Sequence, residues 1–155
     1  MMVKDSTAKI AFAYITDDLH EPEERVLAAK AHLFLPEGSD VINVILEFGL
    51  VGLNDDSYYT LFTRFYFKNE EVGFPDDKSI PHKFLNFFAK SGEFAIQGSS
   101  SERFVAKEAG YYKVESKLYE YDADICDQDD SVKFDEKNVV HQNNFYIAVA
   151  SEWSE

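Results

Sequence analysis

The chain has 155 residues, enough for one domain that buries roughly 70% of its unfolded surface and holds its core without a metal or a disulfide. Its 15 Lys and Arg against 29 Asp and Glu give a formal net charge of -14, a field that repels phosphate and excludes nucleic acids and anionic lipid surfaces as expected partners. The 14 Phe and 9 Tyr suit pleated, half-buried strands better than helices.

Residues 9–16 read as a first strand, with Ile10, Phe12 and Tyr14 alternating with small residues until Asp17 and Asp18 break the run. Residues 25–35 support two readings. Leu27, Ala29, Ala31, Leu33 and Leu35 share one period-2 face, which predicts a strand closed by Pro36, Glu37 and Gly38. The acidic run Glu21, Pro22, Glu23, Glu24 and the alanines behind it instead predict a short helix over 22–34. The strand is preferred because alternation runs through all five positions.

Residues 41–53 form the clearest central strand, with Ile42, Val44, Leu46, Phe48 and Leu50 on one face. Gly49 and Gly52 near its end predict a bulge or a close backbone approach. After a turn at 54–57, residues 58–68 return as a strand with Tyr59, Leu61, Phe65 and Phe67 on one face, and the short connection predicts that the two strands pair as a hairpin. A polar loop is expected over 70–81, short strands at 83–88 and 93–97, and a flexible connection at 98–101, where Gly98 precedes three serines. Residues 111–121 form a long strand on which Lys113, Glu115 and Lys117 mark a wet face opposite Tyr112, Val114, Ser116 and Leu118. An acidic loop over 122–131 and a weak region to Gln142 lead to a closing strand at 145–149, with Phe145, Ile147 and Val149 inward. About eight short strands with no regularly interposed helices predict an all-β fold, an antiparallel two-sheet sandwich occupying residues 1–155 as a single domain.

The segment Glu108, Ala109, Gly110, Tyr111, Tyr112, Lys113, Val114 resembles the acidic-x-Gly-x-Tyr-x-Cys corner of immunoglobulin-like domains, with Glu108, Gly110 and Tyr112 in the acidic, glycine and tyrosine places. Val114 stands where those domains place a disulfide cysteine, and Cys126 is the only cysteine in the chain. The similarity is therefore to the cysteine-free immunoglobulin-like sandwiches, including small bacterial ones with no assigned activity. It implies that Gly110 bends the chain into a strand and that the Tyr112 hydroxyl reaches back to an upstream carbonyl.

Catalytic patterns are absent. His20, His32, His82 and His141 are dispersed, with no pair spaced to share a metal, and are expected on the surface. Cys126 sits among Asp124, Asp127 and Asp129, whose charge disfavours a thiolate. No phosphate-binding glycine loop and no Gly-x-Ser-x-Gly elbow occurs. The one candidate metal site is the acidic loop: Asp122, Asp124 and Asp130 have the spacing Asp-x-Asp-x5-Asp, which resembles a calcium-binding loop of C2 domains. Three carboxylates fall short of the six to eight oxygens calcium takes, so help from another loop is required. The expected default is no cofactor, with calcium as the alternative.

Tyrosines on outward strand faces offer a large apolar body with a polar tip, which suits protein contacts. Tyr111, Tyr119 and Tyr121 are the candidate contact residues. The sequence thus predicts a non-enzymatic module working through a protein partner or self-association. The single cysteine fits a reducing compartment without deciding the location, and the absence of an apolar run near the roughly 20 residues of a membrane span, with a start interrupted by Asp5, predicts a cytoplasmic one.

Overall fold

The computed structural model describes residues 6–17, 32–34, 38, 40–54, 57–72, 84–88, 95–122 and 135–150. Among the described residues, nine strands make two sheets. The smaller holds β1 (Lys9–Asp17), β3 (Val41–Val51) and β7 (Ala95–Val105) in the order β1-β3-β7, all antiparallel. The larger has the order β2-β9-β8-β4-β5, from β2 (His32–Phe34), β9 (Val139–Ala150), β8 (Gly110–Asp122), β4 (Ser57–Phe67) and β5 (Glu70–Glu71), and β6 (Phe84–Phe88) also pairs with β4. Pairing in it is antiparallel except that β2 lies parallel to β9. The all-β two-sheet expectation holds: among the described residues the only helical element is a 3-10 turn, Glu136–Asn138. Where strand and helix competed, 32–34 is strand and 22–31 lies outside the described residues.

The core is where the inward faces meet. Ile15, Val44, Leu46 and Phe104 of the small sheet pack against Phe65, Tyr112, Val114 and Ile147 of the large one. Phe65 stacks on Phe104 at 4.6 Å between ring centroids and Phe67 on Tyr112 at 4.5 Å. A second cluster joins Ile10, Phe48 and Leu50 to Tyr59, Leu61, Leu118 and Val140. Between them lies a hydroxyl pair: Thr63 and Ser116 are direct cross-strand partners, both buried, with their oxygens 2.8 Å apart. Each buried large apolar side chain contributes about 1.5–3 kcal/mol relative to exposure. The paired hydroxyls satisfy each other and so avoid the cost of a lone buried polar group.

The expected hairpin between β3 and β4 is not formed. β3 pairs with β1 and β7, whereas β4 pairs with β8, β5 and β6. Sequence alternation specifies which side chains turn inward, and the same faces are buried whether two strands lie side by side or stack across the interior. Here the chain leaves the small sheet after Val51 and enters the large one at Ser57, and stacked sheets lie roughly 10 Å apart. Gly52 makes the departure possible: its φ is +69°, and a Cβ there would sit 2.2 Å from the Thr7 carbonyl oxygen. Thr7 Oγ1 donates to the Gly52 carbonyl at 2.7 Å. On the far side of the crossing, the Asn54 N–H donates to the Tyr59 hydroxyl at 2.7 Å, and that hydroxyl donates to the Glu120 carboxylate. Burial first, and then the Glu120 carboxylate, push the Tyr59 phenol well above its usual pKa, so it remains a donor.

Three further expectations are corrected. Residues 98–101 are not a flexible connection but the middle of β7. Gly98 lies opposite Phe48, where a Cβ would come 3.0 Å from the ring, so the missing side chain makes room for a core aromatic. The serines find acceptors: Ser99 Oγ donates to Glu47 at 2.5 Å and Ser100 Oγ to Glu102 at 2.8 Å. The start of the expected loop at 70–81 is strand, because Lys68 and Asn69 both take positive φ (51° and 67°), the two-residue turn that joins β4 to β5. The closing strand begins at Val139 rather than 145, and a register shift near Tyr119 hides its alternation.

Candidate functional site

The corner resembling immunoglobulin-like domains is formed as implied. Gly110 has φ +152°, and a Cβ there would approach the Phe67 ring to 2.9 Å. Tyr112 is buried, and its hydroxyl donates to the Glu108 carbonyl at 2.8 Å. Burial raises the phenol pKa, which the backbone bond only partly offsets. This latch sets the start of β8, and hence the position of Tyr111 on the outer face of the large sheet.

That outer face is built in cross-strand rows. Tyr66, Lys113 and Tyr146 are register partners across β4, β8 and β9. Lys113 Nζ lies 5.0 Å from the Tyr66 ring centroid, a cation–π distance. In the next row Arg64, Glu115 and Asn144 are partners, followed by Phe62, Lys117 and Gln142. Glu115 lies between Lys113 at 3.8 Å and Lys117 at 3.9 Å and accepts from Gln142 Nε2 at 3.3 Å. Lys117 also meets Glu136 at 2.8 Å. Burial pulls its pKa down, but the bond to Glu136 and the charges of Glu136 and Glu115 outweigh this and raise it. Lys113, Glu115, Lys117 and Glu136 at the centre of the face therefore alternate in sign.

The three candidate contact tyrosines separate. Tyr111 is 76% exposed, while Tyr119 is 2% and Tyr121 3% exposed, so the latter two present no contact surface. They do point outward as alternation requires, but that end of the face is covered. Phe62 and Val139 pack on Tyr119, Tyr58 stacks on Tyr121 at 6.2 Å, and the 3-10 turn Glu136–Asn138 lies against β8. Tyr121 further shares a hydroxyl contact with Thr60 at 3.0 Å. Burial pushes the Tyr119 phenol up in pKa, with Lys117 and Arg64 opposing. The exposed companion of Tyr111 is Tyr146, at 66%. It lies opposite Lys113, while Tyr111 lies opposite Ala148, so the two tyrosines are diagonal neighbours on one face. Tyr146 was legible: inward Phe145 and Ile147 place it outward on β9.

Of the candidate calcium ligands, Asp122 is exposed at the end of β8, and Asp124 and Asp130, with Cys126, lie outside the described residues. Among the described residues, no group of three or more His, Cys, Asp or Glu side chains is placed to hold a metal. His141 is half-buried rather than on the surface, because the N–H of Ile10, beside a bulge in β1, takes its Nδ1 as acceptor at 2.9 Å. Burial and then the Lys9 charge hold its pKa below the usual imidazole value. No helix among the described residues is long and apolar enough to cross a membrane.

No protein-family model matches the chain, and no curated protein matches it. Among solved structures, it is similar to the ASH / PapD-like domain of human CEP192 (PapD-like domain 7), at 13% identity over 99% of this chain and 92% of that chain, with a TM-score of 0.33. A likeness of that degree does not extend to function.

Proposed function

We propose that the protein is a non-catalytic module that works through protein contacts made by the outer face of its six-stranded sheet at the Tyr111 and Tyr146 end. One observation carries this reading: two tyrosines, 76% and 66% exposed, stand as diagonal neighbours on a strand pair whose inward faces are locked in the core. Tyrosine spends little conformational entropy on binding and offers both apolar area and a hydroxyl, which is why it is enriched in contact surfaces. The adjacent charges already satisfy one another. A partner covering the tyrosines therefore need not desolvate a bare ion.

The test is comparative capture from a cell extract, using the immobilised wild-type chain and a Tyr111→Ser/Tyr146→Ser double variant, with melting temperatures measured for both. Protein species retained by the wild type and lost from an equally stable double variant support the reading. An identical set on both contradicts it.

A further inference from the structure

We infer that residues 6–10 form a strap over the end of the sandwich where β3 leaves the small sheet, and that protonation of His141 releases this strap from the large sheet. The strap is tied to both sheets. On its own sheet, Thr7 Oγ1 donates to the Gly52 carbonyl at 2.7 Å, and Lys9 and Ile10 pair with Val51 and Leu50 of β3. Across the interior, Ser6 Oγ donates to the Glu120 carboxylate of β8 at 3.3 Å, and the Ile10 N–H donates to Nδ1 of His141, on β9, at 2.9 Å. Ser6 Oγ also accepts from the Ala8 N–H at 3.1 Å, which folds the start of the strap. Ala8 and Ile10 are buried in one cluster with Leu53, Tyr59, Leu118 and Val140, so the strap closes that end of the core.

The His141 tie holds in only one protonation state. An amide N–H needs a lone pair to donate to, so Nδ1 carries no proton and the ring is neutral with its hydrogen on Nε2. Protonation turns Nδ1 into a donor. Two donors then face each other, the Ile10 N–H loses its acceptor, and the new charge is repelled by Lys9. The other charged groups of the elements packed here are engaged elsewhere. Opposite His141 on β8 stands Leu118, while Lys117 meets Glu115 and Glu136 on the outer face and Glu120 accepts from Tyr59 and Ser6. Leu50 and Val51, the strap's partners on β3, carry no charge.

The bulge in β1 sets where the release stops. Ala11 has no partner in the β1–β3 register, whereas residues from Phe12 to Asp17 pair with β3 without a further shift. Loosening at Ile10 therefore leaves the rest of β1 on its ladder, and the product is a locally open end rather than an unfolded chain. The strap stands at the opposite end of the strands from Tyr111 and Tyr146, so a failure here leaves the contact face untouched.

The experiment is amide hydrogen exchange resolved by NMR between pH 7.5 and 5.5, expressed as protection factors so that the intrinsic pH dependence of exchange drops out. It uses the full chain, His141→Asn, whose Oδ1 stands in for Nδ1 as an acceptor that does not protonate, and Lys9→Gln. In the wild type, Ile10 protection is expected to fall ~3- to 10-fold by pH 5.5, because an imidazole in the open state, with its ordinary pKa of about 6.5, takes up the proton before the closed one does. Val114, in the middle of the large sheet, keeps its protection over the same range. His141→Asn shows no such fall at Ile10, and Lys9→Gln shows a smaller one. Imidazole nitrogen shifts at pH 7.5 place the hydrogen on Nε2. A hydrogen on Nδ1, wild-type Ile10 protection that does not change with pH, an equal fall at Val114, or an equal fall in His141→Asn would overturn the inference.

Discussion

The two ends of the sandwich use tyrosine in opposite ways. At the end where β3 crosses to β4, Tyr59 fastens the crossing, and Tyr119 and Tyr121 are buried, packed beside Phe62, Val139 and Tyr58. At the Gly110 end, Tyr112 fastens the corner and leaves Tyr111 and Tyr146 in solvent. Each end therefore has one hydroxyl latch on a turn, but only one has its outer face covered. Alternation along a strand decides the side a residue takes; cover from neighbouring elements decides whether that side is wet. Both ends are packed inside, and they differ in whether the outward tyrosines are covered.

The sharpest contrast is between Tyr119→Ala and Tyr111→Ala. Removing a buried aromatic costs about 3–5 kcal/mol, while an exposed one away from special contacts stays within about 0.5 kcal/mol. Urea denaturation of both variants measures the gap, and equal losses would erase the distinction between the ends. Gly52→Ala comes next, at about 2–3 kcal/mol, because alanine pays for a left-handed φ and collides with the Thr7 backbone. The same denaturation series checks it, and a neutral outcome would mean that the crossing does not follow the path described. Tyr112→Phe tests the corner latch alone: the ring stays packed on Phe67 and Phe104, and the lost hydroxyl bond costs about 1 kcal/mol.

A smaller effect distinguishes the ends by pH. Burial holds the native His141 imidazole below its usual pKa, so as pH falls through about 6.5 the unfolded chain takes up this proton first. Stability from this group is full above that point and declines below it until the native imidazole also protonates. Melting temperatures between pH 7 and 5 should fall less steeply in His141→Gln than in the wild type. The smallest expected effect is that of calcium: a millimolar addition leaves the melting temperature unchanged, and a rise would instead assign the loop beginning at Asp122 a cation-binding role.

The inward faces of β3, β4 and β8 were legible because period-2 alternation is imposed by burial itself. Strand partners were not: Ile42 to Leu50 and Tyr59 to Phe67 show the same pattern in a hairpin and in a crossing, and the difference lies in Gly52 meeting Thr7, a contact 45 positions apart in the chain. The serines of β7 read as a loop because their hydroxyls favour turns when unpaired, whereas here Glu47 and Glu102 accept from Ser99 and Ser100. Of the contact surface, Tyr111 was visible at the corner and Tyr146 followed from Phe145 and Ile147, but the covering of Tyr119 and Tyr121 depends on Val139, brought beside them only by the β8–β9 pairing.

Hydroxyl-radical footprinting of the free protein, read residue by residue by mass spectrometry, tests the division between the two ends most directly. Strong modification of Tyr111 and Tyr146 with protection of Tyr119 and Tyr121 is the predicted result. Comparable modification of all four, or protection of Tyr111 and Tyr146, would contradict it.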